Sequence, residues 1–246
     1  MWDIKIKKNL SSGRKKENMQ RYDYSGFSLK KLNDSRFSHI KLLIFWPIFG
    51  IAFNFLERVF SPKFHDIYCK LDDYIPFCEY FVIPYYFWFA YLIGIQIYGF
   101  FYDVPVFVKY MKFTMLTYGI CFLVYVIYPN AQQLRPEVFE RNNIFTHIVS
   151  MIYGYDTNTN VCPSMHVTGS YAVYFAAKHS KLFGNRPMKI AFYLTTLVIC
   201  ASTVFLKQHS IIDVFAGIIV SYICYPLVFK EEKQIEIAQE KELHYL

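Results

Sequence analysis

The chain has 246 residues, of which 54% are apolar, 20% aromatic and only 18% charged. That balance is too apolar for an ordinary soluble domain of this length and makes a lipid bilayer the expected solvent. The net charge of +7 comes with no aromatic-basic motif for RNA or DNA, so it argues for membrane orientation and against a nucleic-acid partner.

Residues 1–37 are basic and polar, with ten Lys and Arg between Lys5 and Arg36 against Asp3, Glu17, Asp23 and Asp34. This stretch has no apolar core of its own and lacks the short apolar segment and small-residue cleavage site of a secretory signal. It is expected to stay on the cytoplasmic side as a solvated tail.

Six apolar windows of spanning length follow, at about 39–56, 80–101, 106–128, 165–182, 188–206 and 211–229. Pro47 and Gly50 interrupt the first, which reads as a kinked or a partly interfacial helix, with its neighbours favouring a full span. The second, "EYFVIPYYFWFAYLIGIQIYGFFY", is so rich in Tyr, Phe and Trp that its ends are placed among lipid head groups, with the rings anchoring and packing. These windows predict an all-α integral-membrane bundle of six transmembrane helices over 38–229. The charged segment 230–246 then forms a second cytoplasmic tail.

The positive charges orient this bundle. Of the 26 Lys and Arg, only Arg58, Lys63, Lys70, Arg135, Arg141 and Lys207 fall on the side opposite the tails. Both termini are therefore expected in the cytoplasm, with the loops at 57–79, 129–164 and 207–210 outside. The expected location is the plasma membrane.

The six cysteines show no CxxC pair, and Cys121, Cys200 and Cys224 lie inside apolar windows. Cys69 and Cys78 share one outer loop and could form a disulfide in an oxidising compartment. Cys162 reads as a small loop filler. Neither a cofactor nor a metal is expected, and oligomeric state is left open.

Polar residues inside such a chain mark function. "NVCPSMHV", residues 160–167, puts Pro163, Ser164 and His166 at the outer start of the fourth helix, where Ser164 can also act as a cap. The 43 residues from His166 to His209 equal about two spans and a turn, so both histidines return to the same face. In "STVFLKQHSIIDVFAG", His209 and Asp213 stand four apart on one side of the last helix. A carboxylate at that depth needs a partner, and His209 is the natural one. A bond from Nδ1 to Asp213 would leave Nε2 free as a nucleophile or base. The loop "YPNAQQLRPEVFERNN" brings Arg135 to the same face.

The ordered set Arg135-Pro136, "PSMH" at 163–166, and Ser202 with His209 seven and Asp213 eleven residues later resembles the type 2 phosphatidic acid phosphatase superfamily, which includes soluble acid phosphatases and vanadium haloperoxidases. The resemblance covers about residues 128–229. It implies metal-independent phosphoryl transfer through a phosphohistidine on a lipid phosphate substrate. His209 would attack phosphorus, Asp213 would orient it, and His166 would protonate the leaving oxygen. Arg135, Ser164 and the backbone N–H groups near Met165 would hold phosphoryl oxygens, with Ser202 in the third motif and Lys207 as a further cation.

Three positions depart from the common pattern: Tyr128 stands where many members have lysine, Thr203 where they have arginine, and Met165 where they have glycine. The branch of inositol phosphorylceramide and sphingomyelin synthases also lacks those two cations, and its motifs are closer in form. Lipid phosphate hydrolysis is the first expectation and headgroup transfer the alternative. A non-catalytic phospholipid binder or transporter, and a metal site made of His166, His209 and Asp213, are the competing classes.

Overall fold

Asp103 separates two long apolar helices with a single residue, and that hairpin sets the grain of the whole chain. In the computed structural model, which describes residues 20–59 and 63–229, α2 runs from Val82 to Tyr102 and α3 from Val104 to Ile127. Pro105 fits the first turn of α3, where a missing N–H costs nothing. Asp103 is buried and accepts the backbone N–H of Lys181 at 3.1 Å, tying the hairpin to the turn after α5.

Before the hairpin, a 3-10 segment Ser38–Ile44 leads into α1, Phe45–Arg58. After it come α4, Ile144–Tyr155; α5, Met165–His179; α6, Arg186–Phe205; and α7, Ile211–Phe229. The extended residues are few: β1, His65–Asp66, pairs in parallel with β2, Asn130–Ala131, and Ala131 bridges Thr159. These short ladders knit three connecting segments together at one end of the bundle.

Among the described residues, five helices are long and apolar enough to cross a membrane: Ser38–Arg58, Glu79–Tyr102, Val104–Ile127, Arg186–Phe205 and Ile211–Phe229. Their outer faces carry Phe87, Ile97, Leu123, Ile190, Leu194 and Ile223, the last 63% exposed. A large apolar exterior on a helical bundle is what lipid contact requires, so the chain reads as a membrane protein.

The expected fourth span, 165–182, differs. α5 has 15 residues and stops at His179, because Ser180 leaves helical geometry and the turn through Gly184 begins. Ten of its residues are buried, and it packs against α2, α3, α6 and α7. Gly169, Ser170, Ala172, Ala176 and Ala177 keep its surface small enough for close approach on every side. The core around it is filled by Phe107, Tyr110, Phe113, Tyr171, Phe175 and Ile199.

Three other expectations change. The segment 129–164 is not all loop: it contains α4, started by Asn143, whose side chain accepts from the N–H groups of Phe145 and Thr146. Cys69 and Cys78 carry free thiols, so the disulfide is not formed. The basic tail is not wholly solvated either. Tyr24 stacks on Phe100 at 5.0 Å and donates to its carbonyl at 2.7 Å, and Phe37 is 2% exposed. Residues 1–19 and 230–246 lie outside the described residues.

Candidate active site

Ser164 begins α5 because its hydroxyl accepts the Val167 N–H at 3.4 Å, a helix-capping bond. The approach to it is fixed on both sides. Asn130 Oδ1 accepts from the N–H groups of Val161 and Cys162 at 2.9 and 2.8 Å, and its amide donates to the Cys162 carbonyl. Tyr125 Oη donates to the Pro163 carbonyl at 2.5 Å, and the Ser164 N–H donates to the Asp213 carbonyl at 3.1 Å. The Cys162–Pro163 peptide bond is cis.

The second wall is the turn between α6 and α7. The N–H groups of Gln208 and His209 both donate to the Thr203 carbonyl, and Lys207 adopts a left-handed backbone at φ 52°. Asp72, fully buried, clamps that turn from the loop after α1. Its carboxylate accepts from Ser210 Oγ at 2.7 Å and from the Ile211 N–H at 2.9 Å, at the start of α7. An acid at that helix start satisfies an orphan donor and complements the helix dipole.

These two walls bring the histidines together, as the spacing predicts. His209 Nδ1 lies 3.1 Å from Asp213 Oδ2, which also accepts the Ser210 N–H at 2.9 Å. His209 Nε2 lies 3.2 Å from Ser164 Oγ and 3.3 Å from His166 Nδ1. A carboxylate at Nδ1 puts the proton there, by inference from the hydrogen-bond network. Nε2 is then an acceptor, and Ser164 and His166 are its donors. The His166 ring is flanked by Tyr85 and Trp88, with centroids 4.7 and 4.4 Å away.

Two glycines make this closeness possible. A Cβ on Gly217 of α7 would come within 2.9 Å of Val167 Cβ and 3.0 Å of the Ser164 carbonyl. A Cβ on Gly169 would lie 2.6 Å from Tyr118 Oη and 3.2 Å from the Trp88 ring. Both positions hold neighbours directly against the start of α5.

A small cavity of about 60 Å³ opens on this cluster, lined by Tyr125, Asp156, Asn160, Met165, His166, Gln208 and His209 among others. His166, His209 and Met165 face it as predicted, with Ser164 and Asp213 in contact behind. Arg135 does not line it. Its guanidinium donates to the carbonyls of Tyr153, Asp156 and Thr157 and to Gln208 Oε1, and lies 4.5 Å above the Tyr153 ring. Burial lowers its pKa from the usual arginine value, with Asp156 opposing that shift.

Two other predicted residues are placed elsewhere. Ser202 is buried in α6 and donates to the Ile199 carbonyl at 2.6 Å, a back-bond within its own helix. Lys207 points away from the histidines: its Nζ donates to the Asp72 carbonyl at 2.7 Å and borders a separate cavity with Asp66, Tyr68 and Asp73. Burial pushes its ammonium below the ordinary lysine value, while Asp72 and Asp73 pull it back. It therefore adds no cation beside the histidines. Tyr128 stacks on His65 at 4.2 Å, and the Thr203 hydroxyl bonds the Cys200 carbonyl, so those positions supply none either.

The metal alternative does not fit the geometry. Asp213 engages Nδ1 of His209 while His166 faces Nε2, so the three groups do not converge on one point, and no three ligand-type side chains do so among the described residues. Residues that sequence reading misses include Asp72, Tyr85, Trp88, Asn130, Asp156 and Gln208. Of these, Gln208 had a signal as the neighbour of His209, and Asn130 lies in the same loop segment as Arg135. Comparison with family models, with curated proteins and with solved structures found no match for this chain.

Proposed function

We propose that this chain is a membrane lipid phosphatase that hydrolyses a lipid phosphate or pyrophosphate through a phosphohistidine. The observation that carries this reading is the chain Asp213–His209–His166, with a carboxylate on Nδ1 and a second imidazole and a serine on Nε2. A binding protein has no use for an oriented nucleophile beside an acid, whereas nucleophilic catalysis requires both.

His209 Nε2 forms a bond to phosphorus while the bond to the leaving oxygen breaks, and His166 delivers a proton to that oxygen. A water then gives a proton to His166, its oxygen bonds phosphorus, and the N–P bond breaks to release phosphate. Ser164 Oγ and N–H donors at the start of α5 lie where the equatorial oxygens gather charge. Counting α5 as the sixth crossing gives a six-helix bundle of the type 2 phosphatidic acid phosphatase kind. The Lys and Arg bias of the loops supports a topology with both termini in the cytoplasm and the site on the outer face, in this reading that of the plasma membrane.

Headgroup transfer is the second reading, favoured by the cation count. With Tyr128 and Thr203 at the cationic positions and Lys207 turned to Asp72, the site lacks charges for a dianionic monoester. A phosphodiester carries one negative charge and asks for fewer, and a lipid hydroxyl then takes the place of water.

The test is a panel of lipid phosphates and phosphodiesters in liposomes, scoring free phosphate against new lipid product with and without an acceptor lipid. Turnover lost in both His209→Ala and His166→Ala, with acid-labile phosphoenzyme retained in His166→Ala alone, supports the assignment. Full activity in either variant overturns it.

A further inference from the structure

Gln208 stands between Arg135 and the cavity. It is 3% exposed, its N–H donates to the Thr203 carbonyl at 2.9 Å, and its carbonyl accepts from Gln132 Nε2 at 3.3 Å, so its main chain is fixed. Its Oε1 accepts from Arg135 Nη2. A guanidinium has only donors, so the amide oxygen must face Arg135 and the amino group must face away from it.

That orientation turns Nε2 away from Arg135, where it is buried with no hydrogen-bond partner, in a residue that lines the cavity holding His166 and His209. A buried amide with idle N–H donors calls for an acceptor. Arg135, for its part, spends its other bonds on backbone carbonyls and forms no ion pair with an acid among the described residues. Among the described residues, its hydrogen bond to a cavity-lining side chain is the one to Gln208 Oε1.

We propose that Gln208 Nε2 is a catalytic donor to the phosphoryl oxygens, and that Arg135 is a positioning residue acting through it without touching the substrate. The inference rests on the phosphoryl-transfer reading of the same site. The guanidinium draws electron density toward Oε1 and so strengthens Nε2–H as a donor. It also locks the amide against flipping, which would turn an acceptor toward the phosphoryl group. The position directly before the nucleophile puts this donor beside the bond that forms.

The experiment is a double-mutant cycle on the full chain in detergent, with Gln208→Met, Arg135→Lys and the pair, read as kcat, KM and affinity for orthovanadate. Gln208→Met should lower kcat about 10- to 100-fold with little change in KM and weaken orthovanadate by a similar factor, the size expected for one lost oxyanion donor. The double variant should be no slower than Gln208→Met alone. Gln208→Glu, which turns an acceptor into the cavity, should be slower still, and thermal melts confirm that each variant is folded. Wild-type kcat and orthovanadate affinity in folded Gln208→Met overturn the donor, and multiplying losses in the pair overturn the relay, while both leave phosphoryl transfer standing. A wild-type chain that neither turns over lipid phosphates nor binds orthovanadate overturns both.

Discussion

Asp213 accepts the backbone N–H of Ser164 on its own main-chain carbonyl at 3.1 Å. The same residue orients His209 with its side chain, so one position holds that imidazole and anchors the start of the helix that carries His166. The two duties use different atoms and can be separated. Asp213→Asn keeps the carbonyl and the side-chain volume but removes the charge that sets the His209 tautomer. It should lower kcat by about 10²- to 10⁴-fold while the thermal melt stays close to wild type. A large drop in melting temperature with normal kcat would contradict this division.

Gly217→Ala probes the closeness of α5 and α7. The added methyl meets Val167 and the Ser164 carbonyl, one of them backbone that cannot yield without moving the cap. Overpacking of this kind costs about 1–3 kcal/mol and should shift Ser164 off His209. Both thermal stability and turnover should fall together; loss of neither would show that the helices can separate freely.

The Asp72 carboxylate has two partners on the turn between α6 and α7, Ser210 and Ile211, and a third at the Cys69 N–H. Asp72→Ala leaves those buried donors without acceptors, at a cost of about 2–4 kcal/mol. Turnover should fall because His209 loses its fixed turn, although Asp72 lies outside the cavity. A melt unchanged from wild type would sink the clamp.

Cys162 sits beside the site but is not poised to react. Burial, together with the negative charge of Asp213, pushes its thiol up to about 12. At pH 8 the thiolate fraction is then roughly 10³-fold below that of an ordinary cysteine, so iodoacetamide should label it correspondingly slowly. Mass spectrometry of the labelled chain checks this, and fast labelling at Cys162 would contradict it.

A mechanism that needs His209 neutral and His166 protonated gives a bell-shaped dependence of kcat/KM on pH. With a substrate whose leaving group needs no proton, His166→Gln should keep the acid limb and lose the alkaline one.

The two histidines and the aspartate were legible in the sequence because helix spacing is arithmetic: two spans and a turn return the chain to one face, and four residues return a side chain to one side. The five long helices were legible for the same reason, as sustained apolar runs. α5 was misjudged in length because its apolar and small residues serve the centre of a bundle, where no lipid sets the length. Lys207 misled because its left-handed backbone, invisible in composition, turns it toward Asp72. Arg135 was expected beside the histidines and not behind Gln208, since three carbonyls from the end of α4 and the segment after it decide where its guanidinium rests. Such contacts have no period and no local signature.

The motifs read from the sequence lie within residues 128–229, yet the walls of the candidate site are borrowed from before them. Tyr85 and Trp88 of α2 flank His166, Tyr125 of α3 holds Pro163, Asp72 holds the α7 turn, and Glu57 of α1 accepts from Thr157, Thr159 and Asn160 along the cavity rim. The motif-bearing half is thus not a transplantable unit. Swapping it onto another membrane scaffold would move the reactive groups and leave their supports behind.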